Sequence, residues 1–125
     1  MLFRSNPELL HGAIENVVRN AIHYTAPGTS VEVLMQFVRQ PKESFVRVAI
    51  RDHGPGLPET ELVNIFRPFY RVADARDRQS GGTGLGLAIA DRVIRTHGGT
   101  IRAQNATPSG LLVEILLPEC ESDLP

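Results

Sequence analysis

Two glycine-rich segments of this chain carry the residue types that nucleotide chemistry needs. Residues 81–87 read G-G-T-G-L-G-L and lead into an apolar helical pattern. This arrangement brings backbone N–H groups close to an anion at a helix N-terminus. Upstream, residues 52–56 read D-H-G-P-G, and the carboxylate of Asp52 follows an alternating apolar run. At a strand end it can accept from an exocyclic amine, and the purine 6-position carries such an amine in adenine but an oxygen in guanine. Together the two segments indicate a purine nucleotide site.

Each segment alone has a simpler explanation. The glycine run matches neither the dinucleotide pattern G-x-G-x-x-G nor the P-loop, because no lysine follows it, and a plain turn before a helix would have the same composition. Asp52 alone is compatible with an ordinary turn residue. The nucleotide interpretation therefore depends on the polar residues elsewhere in the chain.

The first predicted helix carries two asparagines that interrupt its apolar pattern. Asn16 and Asn20 are four residues apart, so their amides lie on one face, beside a stripe where an unpaired amide would be costly. Amide oxygens suit Mg²⁺, which binds substrate phosphates in proteins. Two solvated asparagines are the alternative. His23 and Tyr24, at the end of the helix, can face phosphate oxygens or lie at the surface.

The segment 66–71 reads F-R-P-F-Y-R and precedes a polar stretch, residues 72–83, that is long enough to be a functional surface loop. We expect Phe66 and Phe69 to anchor the base of this loop in the core. Arg71 can reach a terminal phosphate with the bidentate geometry of a guanidinium group. A plain solvated loop is the alternative for the stretch itself.

Composition excludes several classes of function. A net charge of -1 gives no electrostatic footprint for nucleic acid or an anionic membrane surface. No apolar run approaches the roughly 18 residues of a membrane span. The single cysteine, Cys120, can form neither an internal disulfide nor a metal cluster, which favours a reducing, cytosolic setting.

Hydrophobic periodicity, together with helix-start residues and Pro-Gly breaks, predicts the helices and strands that position these residues. Asn6-Pro7-Glu8 predicts the start of a long amphipathic helix that Pro27-Gly28 ends. Apolar alternation then predicts a hairpin, from Val31 to Ile50, and a short helix starts at Pro58. A second helix runs from Leu85 to Gly98, and a closing hairpin ends at Leu117. This order predicts an α+β fold, with helices on one face of a mixed sheet, rather than a Rossmann fold.

Four segments also carry a family resemblance, in order and spacing. E-N-V-V-R-N-A-I-H-Y (15–24) is similar to the N box of bacterial sensor histidine kinases, and D-H-G-P-G (52–56) to their G1 box. F-R-P-F-Y-R (66–71) is similar to the F box, and G-G-T-G-L-G-L (81–87) to the G2 box. The chain therefore resembles the catalytic and ATP-binding domain of these kinases over about residues 5–118, in particular the envelope-stress type.

The resemblance implies the Bergerat (GHKL) fold: a two-layer α/β sandwich with a mixed, mostly antiparallel sheet and about three helices on one face. It implies that residues 1–118 form this domain, that residues 72–83 are a mobile ATP lid, and that residues 119–125 are a frayed tail. The implied ATP-binding residues are Asn16, Asn20, His23, Tyr24, Asp52, Gly54, Gly56, Leu57, Phe66, Arg71, Gly82, Thr83, Gly84, Leu85, Gly86 and Leu87.

Within that set, the resemblance implies catalytic roles for Asn16, Asn20 and Arg71, and Mg²⁺ held by Asn20 with Asn16 nearby. His23 departs from the lysine or arginine that is frequent at this position in the family. ATPase relatives carry a water-activating glutamate where this chain has Asn16. Because an amide cannot act as a general base, transfer to an acceptor is favoured over rapid hydrolysis.

The implied function is an enzyme that transfers the γ-phosphoryl group of ATP, with Mg²⁺, to a histidine on a separate domain. The chain has no phosphoacceptor box, so we expect it to be a domain cut away from its dimerisation and phosphoacceptor domain. That domain and a downstream response regulator are the expected partners, with no nucleic acid and no direct membrane contact. The expected setting is the cytoplasmic side of an inner-membrane sensor kinase.

Two other functions stay open on the sequence. An anti-sigma-factor serine kinase shares the fold, but the F box and the extended loop argue against it. A nucleotide-sensing module would bind ATP and transfer nothing. Because the chain keeps Asn20, Asp52 and Arg71, it gives no sign of a degenerate site.

Overall fold

The computed structural model describes residues 6–70 and 85–119. Its elements are α1 (Pro7–Tyr24), β1 (Glu32–Arg39), β2 (Ser44–Arg51), two 3₁₀ helices (Glu59–Glu61 and Asn64–Phe66), α2 (Gly86–Thr96), β3 (Thr100–Asn105) and β4 (Leu111–Pro118). This is the order that the sequence predicts. The predictions of a lid at 72–83 and of a frayed tail lie outside the described residues, apart from Glu119.

The start of α1 is the one that its first residues predict. The side-chain oxygen of Asn6 accepts from the N–H of Leu9 at 3.1 Å, and Pro7 occupies the first turn, where its missing N–H costs nothing. Ala13, Val17 and Ala21 repeat every four residues and are buried, so this stripe faces the core. Within the described ranges, no helix combines the length and apolarity needed to cross a bilayer.

The strands form a four-stranded sheet in the order β1-β2-β4-β3, and all its pairings in the described part are antiparallel. Alternate residues of the inner strands point to one face, because side chains alternate along a strand. That face packs against the helices. Its buried core, with the helix residues that meet it, comprises Ala13, Val17, Ala21, Val48, Ile50, Ala90, Ile94, Ile101, Leu111, Val113 and Ile115. The two-layer α+β architecture is thereby confirmed.

The strand β1 is present, as the apolar alternation predicts, but most of its apolar side chains are exposed. Val33, Met35 and Phe37 lie opposite Ile50, Val48 and Val46, on the same face as the core. They are nevertheless 53%, 65% and 51% exposed. The reason is position, since β1 is an edge strand of the described sheet and α1 packs on α2 and β2. Apolar alternation therefore predicted the strand correctly, but it could not show whether the helix layer covers the strand.

Candidate functional site

Asp52 lies directly after β2 and is 2% exposed. Its Oδ1 accepts from the N–H of Gly54 at 2.8 Å and from the N–H of Leu111 at 3.1 Å. Its Oδ2 accepts from no donor in the described part of the chain, yet it is not sealed from solvent. The carboxylate is therefore oriented through one oxygen, and the other oxygen is left for a donor on a ligand.

The loop that follows Asp52 is pressed against the end of α1. A Cβ on Gly54 would overlap the backbone carbonyl of Tyr24, so only glycine permits this approach. The backbone N–H of His53 donates to the Thr25 hydroxyl at 3.0 Å, and its Nδ1–H donates to the Ser30 carbonyl at 2.9 Å. The loop and the end of the helix thus form one connected wall.

Asn16 and Asn20, the two asparagines that the sequence analysis selected, lie on α1 between this wall and the start of α2. Asn16, Asn20 and Tyr24 follow one another at intervals of four on α1, so they form a single stripe. The amides of Asn16 and Asn20 are half-buried and make no hydrogen bond with any residue that the structure describes. The Cβ of Asn16 lies 3.9 Å from the Cβ that Gly86 would carry. The stripe therefore runs about 12 Å, from α2 to the wall at Gly54.

The helix α2 begins without a side-chain cap. Leu85 occupies the cap position, and its side chain cannot accept from the N–H groups of Gly86 and Leu87. The first N–H groups of a helix have no partner inside the helix, and they carry the positive end of its dipole. Because Leu87 packs against the core, the start of α2 is held in place. This end of the stripe can receive an anion.

Other predicted residues have mixed outcomes. Phe66 is half-buried and packs against the core, as predicted. Phe69 is 72% exposed and has a left-handed backbone, with φ 64°, so the prediction that it anchors a loop in the core is wrong. The second 3₁₀ helix ends at Phe66, and the turn after it directs Phe69 outward. His23 and Tyr24 are both exposed, with their rings edge to face at 4.8 Å between centroids.

Four predicted site residues, Arg71, Gly82, Thr83 and Gly84, lie outside the described residues. In contrast, sequence reasoning missed Asn105, the last residue of β3. Its Oδ1 accepts from the N–H of Leu57 at 2.8 Å, and its Nδ2 donates to the carbonyl of Leu57 at 2.7 Å. The only sequence signal was a polar residue at the end of an apolar hairpin strand, which turns often supply.

Comparison with known proteins matches residues 5–121 to the family described as histidine kinase-, DNA gyrase B-, and HSP90-like ATPases. The chain belongs to this family. The match covers the whole described site, from Asn16 to Leu111. It confirms the fold class.

Curated relatives narrow the family to sensor histidine kinases. The Escherichia coli (strain K12) sensor histidine kinase CpxA is 42% identical over 113 residues, which are 90% of this chain and 23% of the relative. The Bacillus subtilis (strain 168) sensor histidine kinase WalK is 35% identical over 105 residues, 84% of this chain and 17% of the relative. The chain therefore spans no more than about a quarter of the length of these relatives.

Solved structures agree. The mycobacterial sensor histidine kinase MprB superposes with a TM-score of 0.72 at 31% identity, covering 91% of this chain and 72% of that one. The nucleotide-free catalytic domain of the histidine kinase ThkA has a TM-score of 0.69 at 29% identity, with coverages of 91% and 69%. The resemblance to a sensor histidine kinase catalytic domain is confirmed, and the comparisons do not favour the serine kinase or the sensing module.

Proposed function

We propose that this domain binds ATP with Mg²⁺ and transfers the γ-phosphoryl group to a histidine on a dimerisation and phosphoacceptor domain, in two-component signalling. The observation that carries the proposal is the α1 stripe with different chemistry at its two ends. The carboxylate of Asp52, whose Oδ2 accepts from no donor within the described ranges, lies at the wall beside Tyr24. The uncapped start of α2 lies beside Asn16.

At the first end, Asp52 accepts from the exocyclic amine of adenine. Its orientation does not depend on the ligand, because Gly54 and Leu111 already hold Oδ1. Such preorganisation lowers the cost of binding, since no side chain has to be ordered when the base arrives. Gly54, Gly56 and Leu57 form the backbone wall next to this carboxylate, and they restrict the base to one orientation.

At the other end, the donors present fit a hard cation and phosphates. The amides of Asn16 and Asn20 are half-buried and have no partner among the residues of 6–70 and 85–119, and amide oxygens are ligands that Mg²⁺ accepts. In this proposal Asn20 holds the ion, with Asn16 nearby, and the ion would neutralise charge on the phosphates. The first N–H groups of α2 face the same end, so they add donors for phosphate oxygens.

The residue type at position 16 favours transfer of the phosphoryl group over hydrolysis of ATP. Asn16 occupies the position of the water-activating glutamate of ATPase relatives, and an amide takes no proton from water. Catalysis would therefore depend on positioning and charge neutralisation. An imidazole nitrogen of the acceptor attacks the γ-phosphorus, the bond to the bridging oxygen breaks, and ADP leaves. Arg71 and Gly82–Gly84 keep the phosphate-binding roles that the resemblance implies.

The domain's place in a signalling system is part of the same proposal. The relatives named as sensor kinases are several times longer than this chain, which supports an acceptor domain and a sensing part elsewhere in the protein. We place the domain on the cytoplasmic side of an inner-membrane kinase, upstream of a response regulator. The near-neutral net charge of -1 supports the absence of nucleic acid and of direct membrane contact.

The test is phosphoryl transfer in trans. The chain is incubated with γ-labelled ATP and Mg²⁺, alone or with the purified acceptor domain of the CpxA relative, which is 42% identical in the matched part. Label should appear on the acceptor and be stable to base but labile to acid, as expected of phosphohistidine. The chain by itself should remain unlabelled.

Two controls make this result specific. An acceptor domain whose phosphoacceptor histidine is replaced by glutamine should stay unlabelled, and EDTA should abolish the transfer. Acid-labile label on this chain alone would contradict the assignment. ATP binding without any transfer to the intact acceptor would favour the nucleotide-sensing module instead.

A further inference from the structure

Asn105 makes a two-point contact with the backbone of the loop that follows Asp52. Its amide oxygen accepts from the N–H of Leu57 and its amide nitrogen donates to the carbonyl of the same residue, at 2.8 and 2.7 Å. A primary amide carries both a donor and an acceptor, so it can pair with a peptide unit much as a neighbouring strand would. An aliphatic side chain of this size can make neither bond, and a carboxylate can only accept.

The loop depends heavily on this contact. Between Pro55 and Leu57, the hydrogen bonds made within the described residues all go to Asn105. Gly56 adopts φ 73°, and a Cβ there would lie 2.6 Å from the Asn105 oxygen. Gly56 therefore leaves space for the Asn105 amide, because any other residue at this position would place a Cβ against its oxygen. Its other half, at His53 and Gly54, is held by different partners.

We infer that Asn105 is a positioning residue for nucleotide binding: it fixes the Gly56–Leu57 wall of the base pocket at the position that Asp52 requires. The inference rests on the proposed function, because it assigns Asp52 and this wall to the adenine. Asn105 acts through Leu57 and touches no reacting atom. Through Asn105, the strand β3 affects base binding, although it carries none of the other site residues named above.

The experiment compares Asn105→Ala with Gln104→Ala in the 125-residue chain. Gln104 is the neighbouring amide on β3; it is exposed, and its side chain has no hydrogen-bond partner among the described residues. Calorimetry with Mg-ATP should show binding weakened about tenfold for Asn105→Ala, the equivalent of two modest hydrogen bonds. It should be unchanged for Gln104→Ala. Hydrogen exchange at the Leu57 N–H should accelerate in the first variant, while the amides of β4 keep their protection.

Asn105→Asp provides a second variant in case Asn105→Ala does not fold. It is close to isosteric and still accepts from the Leu57 N–H, but it turns an oxygen toward the Leu57 carbonyl, so ATP should again bind more weakly. The inference is overturned if folded Asn105→Ala or Asn105→Asp binds ATP as tightly as the parent, even with a lowered melting temperature. Failure of the parent itself to bind ATP would instead overturn the proposed function.

Discussion

Gly54 lies directly against the backbone carbonyl of Tyr24, so the loop after β2 and the end of α1 meet with no room for a side chain. This contact sets the distance between the carboxylate of Asp52 and the asparagine stripe of α1. The two halves of the candidate site therefore belong to one packed unit rather than to two separate segments.

Gly54→Ala should disturb both stability and binding. The added methyl group overlaps the Tyr24 carbonyl, so the loop must move away from α1. We expect a loss of about 1–3 kcal/mol in the free energy of unfolding, typical of overpacking, and weaker ATP binding. Urea denaturation and calorimetry measure the two effects.

Gly12→Ala is the matched control. Gly12 lies within α1, and a Cβ there would meet nothing within 4 Å. It should raise the free energy of unfolding by about 0.5–1 kcal/mol, because alanine is the better helix former, and leave binding unchanged. Equal effects of the two substitutions would show that the contact with Tyr24 is not tight.

Asp52→Asn should weaken ATP binding and change base preference. The N–H groups of Gly54 and Leu111 both require an acceptor, so the amide oxygen of the variant should take the place of Oδ1. The NH₂ group then faces the base, where it repels the adenine amine and can donate to the guanine oxygen. Loss of a charge-assisted bond is worth about 1.5–3 kcal/mol, or roughly 10- to 100-fold in affinity.

The measurement is calorimetric binding of ATP and GTP, with a melting curve to confirm folding. Asp91→Asn serves as the control, because Asp91 pairs with Arg95 on the surface of α2. If folded Asp52→Asn keeps both the affinity and the preference of the parent, Asp52 serves only the turn.

Asn20→Ala should weaken nucleotide binding chiefly when Mg²⁺ is present. The Asn20 amide has no hydrogen-bond partner in the part of the chain that the structure describes, so its removal should leave the melting temperature nearly unchanged. Titrations with ATP in Mg²⁺ and in EDTA distinguish a metal ligand from a structural residue. An equal loss in both conditions would assign Asn20 a structural role. Asn64→Ala, in the second 3₁₀ helix, should change neither titration.

His97→Ala should destabilise the fold without changing the chemistry of the site. The buried imidazole accepts from the N–H of Asn6 through Nε2, at 2.9 Å, and contacts the Val93 carbonyl through Nδ1, at 2.8 Å. Because a carbonyl only accepts, the proton lies on Nδ1. Removing the ring breaks this link to the start of α1 and takes away a buried side chain, so we expect a loss of about 1–3 kcal/mol in the free energy of unfolding.

Urea denaturation measures this loss. His11→Ala, at an exposed position of α1, should leave the free energy of unfolding unchanged. Similar values for the two variants would mean that the link between Asn6 and His97 contributes nothing to stability.

The helices, the strands and most residues of the candidate site could be predicted from local patterns in the amino-acid sequence. The cap at Asn6 and the alternation of β2 depend on residues only a few positions away along the chain. Hydrophobic periodicity and helix-start signals therefore predict both. For the same reason, Asn16 and Asn20 could be placed on one helical face. The four boxes made the family recognisable, and the order and spacing of the elements agreed with the structure.

The contacts between residues far apart in the chain could not be predicted in this way. Asp52 is oriented by Leu111, 59 residues away, and Leu57 is held by Asn105, 48 residues away. The exposure of β1 and of Phe69 depends on where the helix layer ends and how a turn is directed. Such contacts follow from sheet register and from the packing of one layer on another. Local sequence patterns predict neither the register nor the packing, because the residues next to a side chain in the chain do not identify the residues it contacts in space.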